Sequence, residues 1–440
     1  MLEFPGAPTP YAPAPEDAVT VYRGATLIDG HGGPSRPGTS IAVLGQVLAF
    51  VGPDAELPAA FADAETVELT GRFVVPGLID THQHLATPPD RTVAEFALRR
   101  QVYGGVTAIR DMADDLRQIS DLARATLVGE IPGPDLGYAA LTAGPGFFSD
   151  PRTWEVSRGA APGAIPHMQA ITDATDLPLA VALARGTGAV ALKIYADLPA
   201  RLVAELTAEA HRQGLHVWAH AAVFPATPRD IVEAGVDVVS HATLLAHEAS
   251  AQNGRASYAE KPPIDFARFT GEDDPVMAGL FALMRERGTI LDATAALYSV
   301  LAEPGEDDPG FPHGPETAEL AVHLTRQAHA AGVEICAGTD YETDADTPYP
   351  SLIEEIEFLV ARCGFTAAQA IRSATLVGAK AMDAEDVRGT VEPGKLADLV
   401  VLAEDPYADI AALRTVVGTL KRGTWFDRAD FSPAAKGTDR

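Results

Sequence analysis

The feature that most constrains the fold is a repeated alternation between short apolar segments and amphipathic segments of helical periodicity. Eight apolar segments with strand character follow one another, with helical patterns between them. Eight such units over roughly 270 residues match a (β/α)8 barrel in number and in size. A doubly wound sheet is the alternative, but eight units are many for it and no glycine-rich phosphate turn follows the first strand. The expected strands are residues 73–80, 106–111, 136–141, 190–195, 216–220, 236–241, 289–293 and 333–337.

Both ends of the chain have a different pattern. Residues 19–75 contain short apolar or β-branched segments joined by turns rich in Gly, Pro and Asp, and two similar segments follow the barrel near residues 399 and 415. We therefore predict an α/β protein, a (β/α)8 TIM-like barrel with a small β-sandwich domain formed by the N- and C-terminal segments. The expected domains are an N-terminal arm and first part of the sandwich (1–72), the barrel with C-terminal helices (73–382), and the second part of the sandwich (383–440).

The composition disfavours several classes of function. The chain has 33 Lys and Arg against 61 Asp and Glu, a formal charge of −28, so it has no surplus of positive charge to neutralise phosphates or anionic lipids. Its apolar segments are shorter than the ~20 residues that span a bilayer, and its N-terminus lacks the features of a targeting signal. Two cysteines cannot form a disulfide framework. We expect a cytoplasmic protein that acts on a small molecule, without a nucleic-acid or membrane partner.

Polar residues interrupt the apolar strands at their carboxyl ends. His82 and His84 lie two residues apart at the end of the first strand, so their side chains point to the same side. His220 and His241 end the fifth and sixth strands, and Asp340 follows the eighth. Each of these residues alone is more often an ordinary polar side chain than a ligand. Because barrel active sites form at the carboxyl ends of strands, five such residues at this edge predict a metal site.

Lys193 lies inside an apolar strand, where an unpaired ammonium group is costly. One interpretation is an ion pair with a neighbouring carboxylate, for example Asp111 or Asp197. The other is that burial lowers the lysine pKa and the free amine captures carbon dioxide. The resulting carbamate has two oxygens that could bridge two metal ions. The residues alone leave both interpretations open.

At this point the sequence resembles a known family. Residues 74–84, VVPGLIDTHQH, resemble the opening signature of the amidohydrolase superfamily, and residues 389–400, GTVEPGKLADLV, are similar to its return into the sandwich domain. With the polar residues described above, the resemblance covers nearly the whole chain. Gln83 departs from the apolar residue of many members, but its side chain is expected to point away from the metals.

The resemblance implies a centre of two divalent ions, with zinc expected and manganese, cobalt or iron as alternatives. A hydroxide that bridges the ions would attack the substrate. Asp340 would be the catalytic residue, taking the proton of this hydroxide and passing it to the leaving group. The implied ligands are His82, His84 and Asp340 for the more buried ion, His220 and His241 for the more exposed ion, and carboxylated Lys193 as the bridge.

Two features indicate a branch of this superfamily. Its mononuclear deaminases carry a glutamate three residues after the strand-five histidine, where this chain has Val223, and they lack a bridging lysine. A lysine on strand four, together with residues 105–111 (GVTAIRD), is most similar to the prolidase-like branch. That branch implies a binuclear hydrolase that cleaves the amide bond of a dipeptide, an Xaa-Pro substrate or an N-acyl amino acid. The alternatives are a related hydrolase acting on a carbamate, phenylurea, lactone or organophosphate ester, and a non-catalytic scaffold.

Four further residues are candidates for contact with the substrate. Tyr195 shares a strand face with Lys193, and Arg110 lies near the end of strand two. Tyr298 and Tyr341 follow strands seven and eight. Each could bind a substrate carboxylate or the oxyanion of the reaction, although a packing or solvent-exposed role is more common for such residues. The resemblance also makes a homo-oligomer an expectation.

Overall fold

The computed structural model describes residues 14–87, 89–250, 257–269, 271, 273–303 and 314–433, so most of the predicted N-terminal arm lies outside the described residues. Within them the chain is a mixed α/β structure that contains a barrel of eight parallel strands and a separate sheet built from both chain ends. The barrel strands are Leu78–Gln83, Val106–Asp111, Asp135–Ala143, Ala191–Ile194, His216–His220, Val238–Ser240, Ile290–Asp292 and Ile335–Cys336.

The barrel strands are neighbours in sequence order from the first to the eighth. Backbone hydrogen bonds then connect the eighth strand region to the first: Thr81 N–H donates to Ala337 O (3.0 Å) and Asp340 N–H donates to His82 O (2.9 Å). The barrel is thus nearly closed, and the predicted fold class is confirmed. Two short strands, Ala164–Ile165 and Met168–Ala170, extend the sheet beside the third barrel strand.

Helices alternate with the barrel strands, and their apolar faces form the largest core of the molecule. In the helix Leu116–Leu127, for example, Leu116, Ile119 and Leu122 lie three residues apart and are buried, and the side chain of Asp115 caps its first turn. The other α-helices of the described residues are Arg91–Tyr103, Pro151–Val156, Leu177–Arg185, Ala200–Arg212, Pro228–Glu233, Pro275–Arg287, Leu297–Val300, Pro315–Ala330, Ser351–Cys363, Ala367–Arg372 and Gly378–Ala381. None of the helices in the described part of the chain is both long enough and apolar enough to cross a membrane.

The second sheet unites the two ends of the chain, as the sequence predicts. Its C-terminal strand Leu399–Leu402 pairs antiparallel with Phe73–Pro76, which pairs with the first strand of the chain, Val19–Leu27. The sheet has its own apolar core. The remaining strands of this terminal sheet are Arg36–Leu44, Val47–Pro53, Glu65–Glu68, Val416–Lys421 and Thr424–Asp427.

The chain passes from the terminal sheet into the barrel at Gly77. The sequence predicts one strand over residues 73–80, but the structure has two, because Phe73–Pro76 belongs to the terminal sheet and Leu78–Gln83 to the barrel. A Cβ atom at Gly77 would lie only 2.1 Å from Oγ1 of Thr107, so glycine is required at this crossing. The apolar pattern does not show the break because both strands are buried.

A buried group of charges, the basal ion cluster, connects the amino-terminal end of the third barrel strand to the terminal sheet. Its members are Asp135, Arg388, Asp398, Lys421 and Arg422. Asp135 accepts hydrogen bonds from the side chains of Arg388 (2.5 Å) and Arg422 (2.8 Å), and the Lys421 ammonium lies 2.8 Å from its other oxygen. Burial would raise the pKa of Asp135, but these three cations outweigh it and lower that pKa.

Candidate metal centre

The six predicted ligands lie together at the carboxyl end of the barrel. His82 ends the first strand and His84 follows it, while Lys193 and His220 lie on the fourth and fifth strands. His241 and Asp340 follow the sixth and eighth strands, and both adopt a positive φ, 76° and 60°. Such values are uncommon outside glycine and concentrate at functional sites, where the surrounding structure holds them in place.

Three histidines direct the same ring nitrogen at Asp340. The Nε2 atoms of His82 and His84 each lie 3.4 Å from Asp340 Oδ1, and Nε2 of His241 lies 3.9 Å from Oδ2. Ligand atoms of His82, His241 and Asp340 all lie within 4.8 Å of one another. Imidazole nitrogens and a carboxylate gathered at this spacing are a donor set that suits a divalent cation.

The opposite nitrogen of each of these rings is held by a neighbouring side chain. Holding Nδ1 fixes the ring and leaves the Nε2 lone pair to point inward, as in metal sites where an outer partner orients the histidine. The hydroxyl of Thr294, for example, donates to Ala293 O and therefore accepts from His241. The Nδ1 pairs are His82 with Asp292 (2.7 Å), His84 with Asp114 (2.9 Å) and His241 with Thr294 (3.0 Å).

His220 completes the group of imidazoles. Its ring centroid lies 5.0 Å from that of His241, and the side chain is 1% exposed. Its Nδ1 atom is buried and has no hydrogen-bond partner among the described residues. Because buried polar atoms are nearly always satisfied, an orphaned nitrogen beside three inward-facing imidazoles fits a site for metal ions.

The protonation states of the histidines suit this interpretation. Burial lowers the pKa of His82, His220 and His241 well below the ordinary value, and nearby positive charges, Lys193 among them, lower it further. These three rings are therefore neutral, as metal ligands must be. Burial also opposes the charged form of His84, but its hydrogen bond with Asp114 and the negative charge of that residue raise its pKa to about 9. A metal would displace a proton from this ring.

Lys193 is fully buried beside the histidines. Its ammonium group donates to Ser240 Oγ (3.0 Å), and the Ser240 hydroxyl donates to Asp292 (3.0 Å). Burial lowers the pKa of Lys193 to about 7, against the opposing charge of Asp292, so much of the amine is neutral at neutral pH. The two carboxylates suggested by the sequence as ion-pair partners bond elsewhere: Asp111 accepts from backbone N–H groups that follow the first two strands, and Asp197 from that of Tyr258.

A cleft of about 1010 Å3 opens onto the ligand group, large enough for a small organic substrate. His84, His220, His241 and Asp340 contribute to its lining. One wall is aromatic, since the ring of Phe147 lies 5.1 Å from that of Tyr195 and 5.5 Å from that of Tyr258. The candidate metal site is therefore accessible to small molecules through this cleft.

The comparisons with known proteins agree with this geometry. A model of the Amidohydrolase family matches residues 73–426. The chain belongs to the amidohydrolase family. The predicted enzyme class, a hydrolase that acts on C–N bonds, is thereby confirmed.

Several amidohydrolases resemble this one over nearly its full length. Ochratoxinase of Aspergillus niger is 26% identical over 490 aligned residues, which cover 98% of this chain and 92% of that protein. The solved structure of a Xaa-Pro dipeptidase with bound methionine in its active site has a TM-score of 0.71 at 23% identity, covering 93% of this chain and 100% of the other. Phenylurea hydrolase B has a TM-score of 0.68 at 20% identity, with coverage of 94% and 97%. The two structural similarities support the fold.

The structure separates the four predicted substrate contacts of this amidohydrolase. Tyr195 lines the cleft, with its ring 4.3 Å from that of His220. Tyr341 also lines the cleft and donates its hydroxyl to Glu354 (2.9 Å). Tyr298 is 1% exposed and packs against Ala318 and Ala321, so it is not among the described residues that form the cleft wall.

Arg110 is enclosed in the barrel and is not one of the described cleft residues. Its guanidinium donates to Thr81 O (2.6 Å) and to Asp292 Oδ2 (3.0 Å) and lies over the ring of Trp218. In this position it neutralises Asp292, which in turn holds His82 and Ser240. Arg110 is therefore placed to support the ligands and is shielded from a substrate in the cleft.

Three supporting residues are missing from the sequence interpretation: Asp114, Asp292 and Thr294. Asp292 ends the seventh barrel strand, so the rule that selects polar residues at the carboxyl ends of the strands applies to it as well. Thr294 follows the same strand with a positive φ of 46°. Asp114 lies beyond the second strand, in an acidic loop whose position the periodicity of the sequence does not specify.

Proposed function

We propose that this amidohydrolase is a binuclear metal-dependent enzyme that cleaves an amide bond in a dipeptide, an Xaa-Pro substrate or an N-acyl amino acid. The observation that carries the proposal is the convergence of three Nε2 atoms on Asp340 while neighbouring side chains hold Nδ1. The similarity to ochratoxinase and to a Xaa-Pro dipeptidase supports an amide substrate.

Two zinc ions fit the donor set best, because imidazole and carboxylate are common zinc ligands. When bound, such ions supply an activated water and a Lewis acid that polarises the scissile carbonyl. The proposed ligands are His82, His84 and Asp340 for one ion, His220 and His241 for the other, and carboxylated Lys193 between them.

Lys193 meets the requirements for carboxylation. Its neutral amine would form a bond to the carbon of carbon dioxide and release a proton, which leaves a carbamate anion in place of the ammonium group. Burial favours the neutral amine that this reaction needs, and the Ser240 hydroxyl lies 3.0 Å from the nitrogen. The change places a buried negative charge beside the imidazoles of His82, His220 and His241.

The chain's own residues divide the remaining tasks. Asp340 is 11% exposed at the floor of the cleft, where its carboxylate would accept the proton of the attacking water and deliver it to the leaving nitrogen. Burial raises the pKa of Tyr195 well above its ordinary value, so the phenol keeps its proton and can donate a hydrogen bond to the oxyanion. Phe147 and Tyr258 line the same wall, where their rings would limit the access of water.

The experiment that tests the proposal measures metal content together with hydrolysis. Protein expressed with added zinc and bicarbonate should contain about two ions per chain and should hydrolyse members of a panel of dipeptides and N-acyl amino acids. Lys193→Ala should lose metal and activity, while the matched variant Lys380→Ala, which removes a lysine paired with Glu334, should keep both. Fewer than two ions per chain, unaffected by Lys193→Ala, would contradict the binuclear model. Metal without amide hydrolysis, but with hydrolysis of a phenylurea or carbamate, would favour that alternative.

A further inference from the structure

Glu355 is a buried carboxylate whose partners belong to the backbone. It lies in the helix Ser351–Cys363, which follows the eighth barrel strand, and it is 0% exposed. Its Oε1 atom accepts a hydrogen bond from the Ala295 N–H (3.1 Å), and its Oε2 atom accepts one from the Ala296 N–H (2.7 Å). Among the described residues, no cationic side chain forms an ion pair with it. Because a buried carboxylate without a cation is costly, its place here has to be explained by the groups that it holds.

The two N–H groups belong to the segment that supports His241. They directly follow Thr294, which has a positive φ of 46° just after the seventh barrel strand. The Thr294 hydroxyl donates to Ala293 O (2.8 Å) and accepts from Nδ1 of His241 (3.0 Å). A β-branched residue rarely adopts such a φ, so the surrounding structure must hold this backbone in place. Glu355 contributes to that hold by fixing the two peptide groups that follow Thr294.

The orientation of the His241 ring depends on this segment. Nε2 of His241 faces Asp340 Oδ2 at 3.9 Å, while Thr294 holds the opposite nitrogen of the ring. A shift of residues 294–296 would therefore move the Thr294 hydroxyl and rotate the imidazole away from Asp340. The path of contacts runs from Glu355 through the backbone to Thr294, and from the Thr294 hydroxyl to His241.

A second interpretation of Glu355 is structural. Ala296 precedes the short helix Leu297–Val300, and the first N–H groups of a helix need acceptors outside it. Glu355 could simply satisfy the backbone at this point. The loss of such a cap lowers the free energy of unfolding and does not by itself change the affinity for a metal ion. The two interpretations therefore differ in what they predict for metal affinity.

We infer that Glu355 is a positioning residue of the metal centre: its carboxylate holds the backbone that follows Thr294, so that the Thr294 hydroxyl fixes the ring of His241 with Nε2 turned towards the metal. The inference rests on the proposed function only in its requirement for a metal ion on His241, and it assumes no particular substrate. It assigns part of the control of a ligand that follows the sixth strand to the helix that follows the eighth.

The first test replaces Glu355 by glutamine, which has nearly the same shape. An amide has one acceptor oxygen, and its NH2 group would face a backbone N–H, so the segment loses one of its two hydrogen bonds. Competition with a chelator for the zinc of the loaded protein gives the affinity. The measurement is made at about pH 8.5, because burial raises the pKa of Glu355 to about 8 and the wild-type side chain should be ionised. Glu355→Gln should lower the affinity for one of the two ions by about 3–10-fold.

Thr294→Val tests the other end of the path, and it decides the question even if Glu355→Gln does not fold. It removes the hydroxyl that accepts from His241 and should lower the same affinity by about 10-fold or more. The double variant should have the affinity of Thr294→Val alone, because both changes act through one hydrogen bond. Effects that multiply in the double variant would overturn the inference, as would a wild-type affinity of Thr294→Val.

Glu357→Gln is the matched control on the same helix. The Glu357 carboxylate accepts hydrogen bonds from Nε (2.8 Å) and Nη2 (2.9 Å) of Arg414. The substitution breaks this ion pair and leaves the contacts of residues 294–296 as they are, so the zinc affinity should equal that of the wild type. An equal loss of affinity in Glu355→Gln and Glu357→Gln would favour the structural interpretation and overturn the inference.

The inference and the proposed function fail in different ways. If the wild type binds two zinc ions and hydrolyses dipeptides or N-acyl amino acids, but Glu355→Gln keeps the wild-type affinity, the role of Glu355 is overturned and the proposed function stands. If the wild type binds two ions and hydrolyses none of these substrates, while Glu355→Gln lowers the affinity, amide hydrolysis is overturned and the role of Glu355 stands. If the wild type binds no zinc, both are overturned.

Discussion

The two ends of the barrel bury charged groups in opposite ways. In the basal ion cluster, both oxygens of Asp135 meet cations, with distances of 2.5 to 2.8 Å to Arg388, Arg422 and Lys421. At the carboxyl end, Asp340 faces three imidazole nitrogens at 3.4 to 3.9 Å. In the first arrangement cations of the chain itself contact both oxygens of the carboxylate, whereas the second leaves space between its donors.

This difference shows which property marks a candidate functional site. Both regions contain buried charges, and both contain strongly shifted pKa values, so neither burial nor a shifted pKa distinguishes them. The orientation of the lone pairs does distinguish them. In the basal cluster, N–H donors point at the carboxylate, whereas in the metal centre the Nδ1 atoms of His82, His84 and His241 are turned outward and held there. The basal cluster should therefore control stability, and the upper cluster activity.

The largest effect should follow from Asp340→Asn. An amide cannot accept the proton of the attacking water, so kcat/KM should fall by about 10²–10⁴-fold, with little change in the free energy of unfolding of the metal-free protein. Hydrolysis of the best dipeptide or N-acyl amino acid, together with urea denaturation, provides the measurement. An unchanged kcat/KM would remove Asp340 from the mechanism.

Asp135→Asn should reverse this pattern. It leaves Arg388 and Lys421 buried, and Arg422 half-buried, around a neutral amide. Breaking a buried ion pair in this way costs about 3–5 kcal/mol of unfolding free energy. The kcat/KM of the folded fraction should stay within about twofold of the wild type. Asp173→Asn, which removes an exposed partner of Arg201, is the matched control and should have a far smaller effect on denaturation. Equal stability of the two variants would show that the basal cluster is not a structural link.

A smaller effect is expected when a histidine ligand is retained but the carboxylate that orients its ring is replaced. Asp292→Asn weakens the orientation of His82 and should lower metal affinity by about 10–100-fold, measured by competition with a chelator. Asp114→Asn acts on His84, whose side chain is more exposed at 27%, so its loss of affinity should be the smaller one. Metal affinities equal to that of the wild type would mean that the outer carboxylates do not orient the ligands.

The smallest effect concerns the pH dependence of stability. The pKa of Asp135 is lower in the folded state than its unfolded value of about 3.9, so its contribution is fully present above that value and is lost as the pH falls through the folded pKa. The difference in unfolding free energy between the wild type and Asp135→Asn should therefore be constant above about pH 5 and should shrink below about pH 4. Denaturation in urea from pH 7 to pH 3 gives this difference. A difference that grows on acidification would contradict the ion-pair account.

The sequence predicts the elements that carry the metal centre because their signals are local. Strand periodicity located all eight barrel strands, and the second and fifth have the expected bounds. A polar residue that ends an apolar barrel strand has few places to lie other than the mouth of the barrel, so the sequence alone indicates His220 as a candidate ligand. The supporting residues are harder to recognise, because Asp114 takes its role from a contact with a different element.

Other features depend on packing that periodicity does not contain. The apolar run over residues 73–80 gives no sign that its two halves join different sheets. Arg110 could face the cleft or the barrel interior, and only its contacts with Thr81 and Asp292 decide between these positions.

The seam between the last and the first barrel strands also sets the order in which the protein can mature. Asp340 N–H bonds to His82 O, so the residue that gathers the three imidazoles reaches them through the same contact that closes the barrel. During synthesis His82 and His84 leave the ribosome long before Asp340 does. The proposed ligand set therefore cannot be complete on a nascent chain that lacks its eighth strand, so we expect full loading with metal to be a late step of maturation.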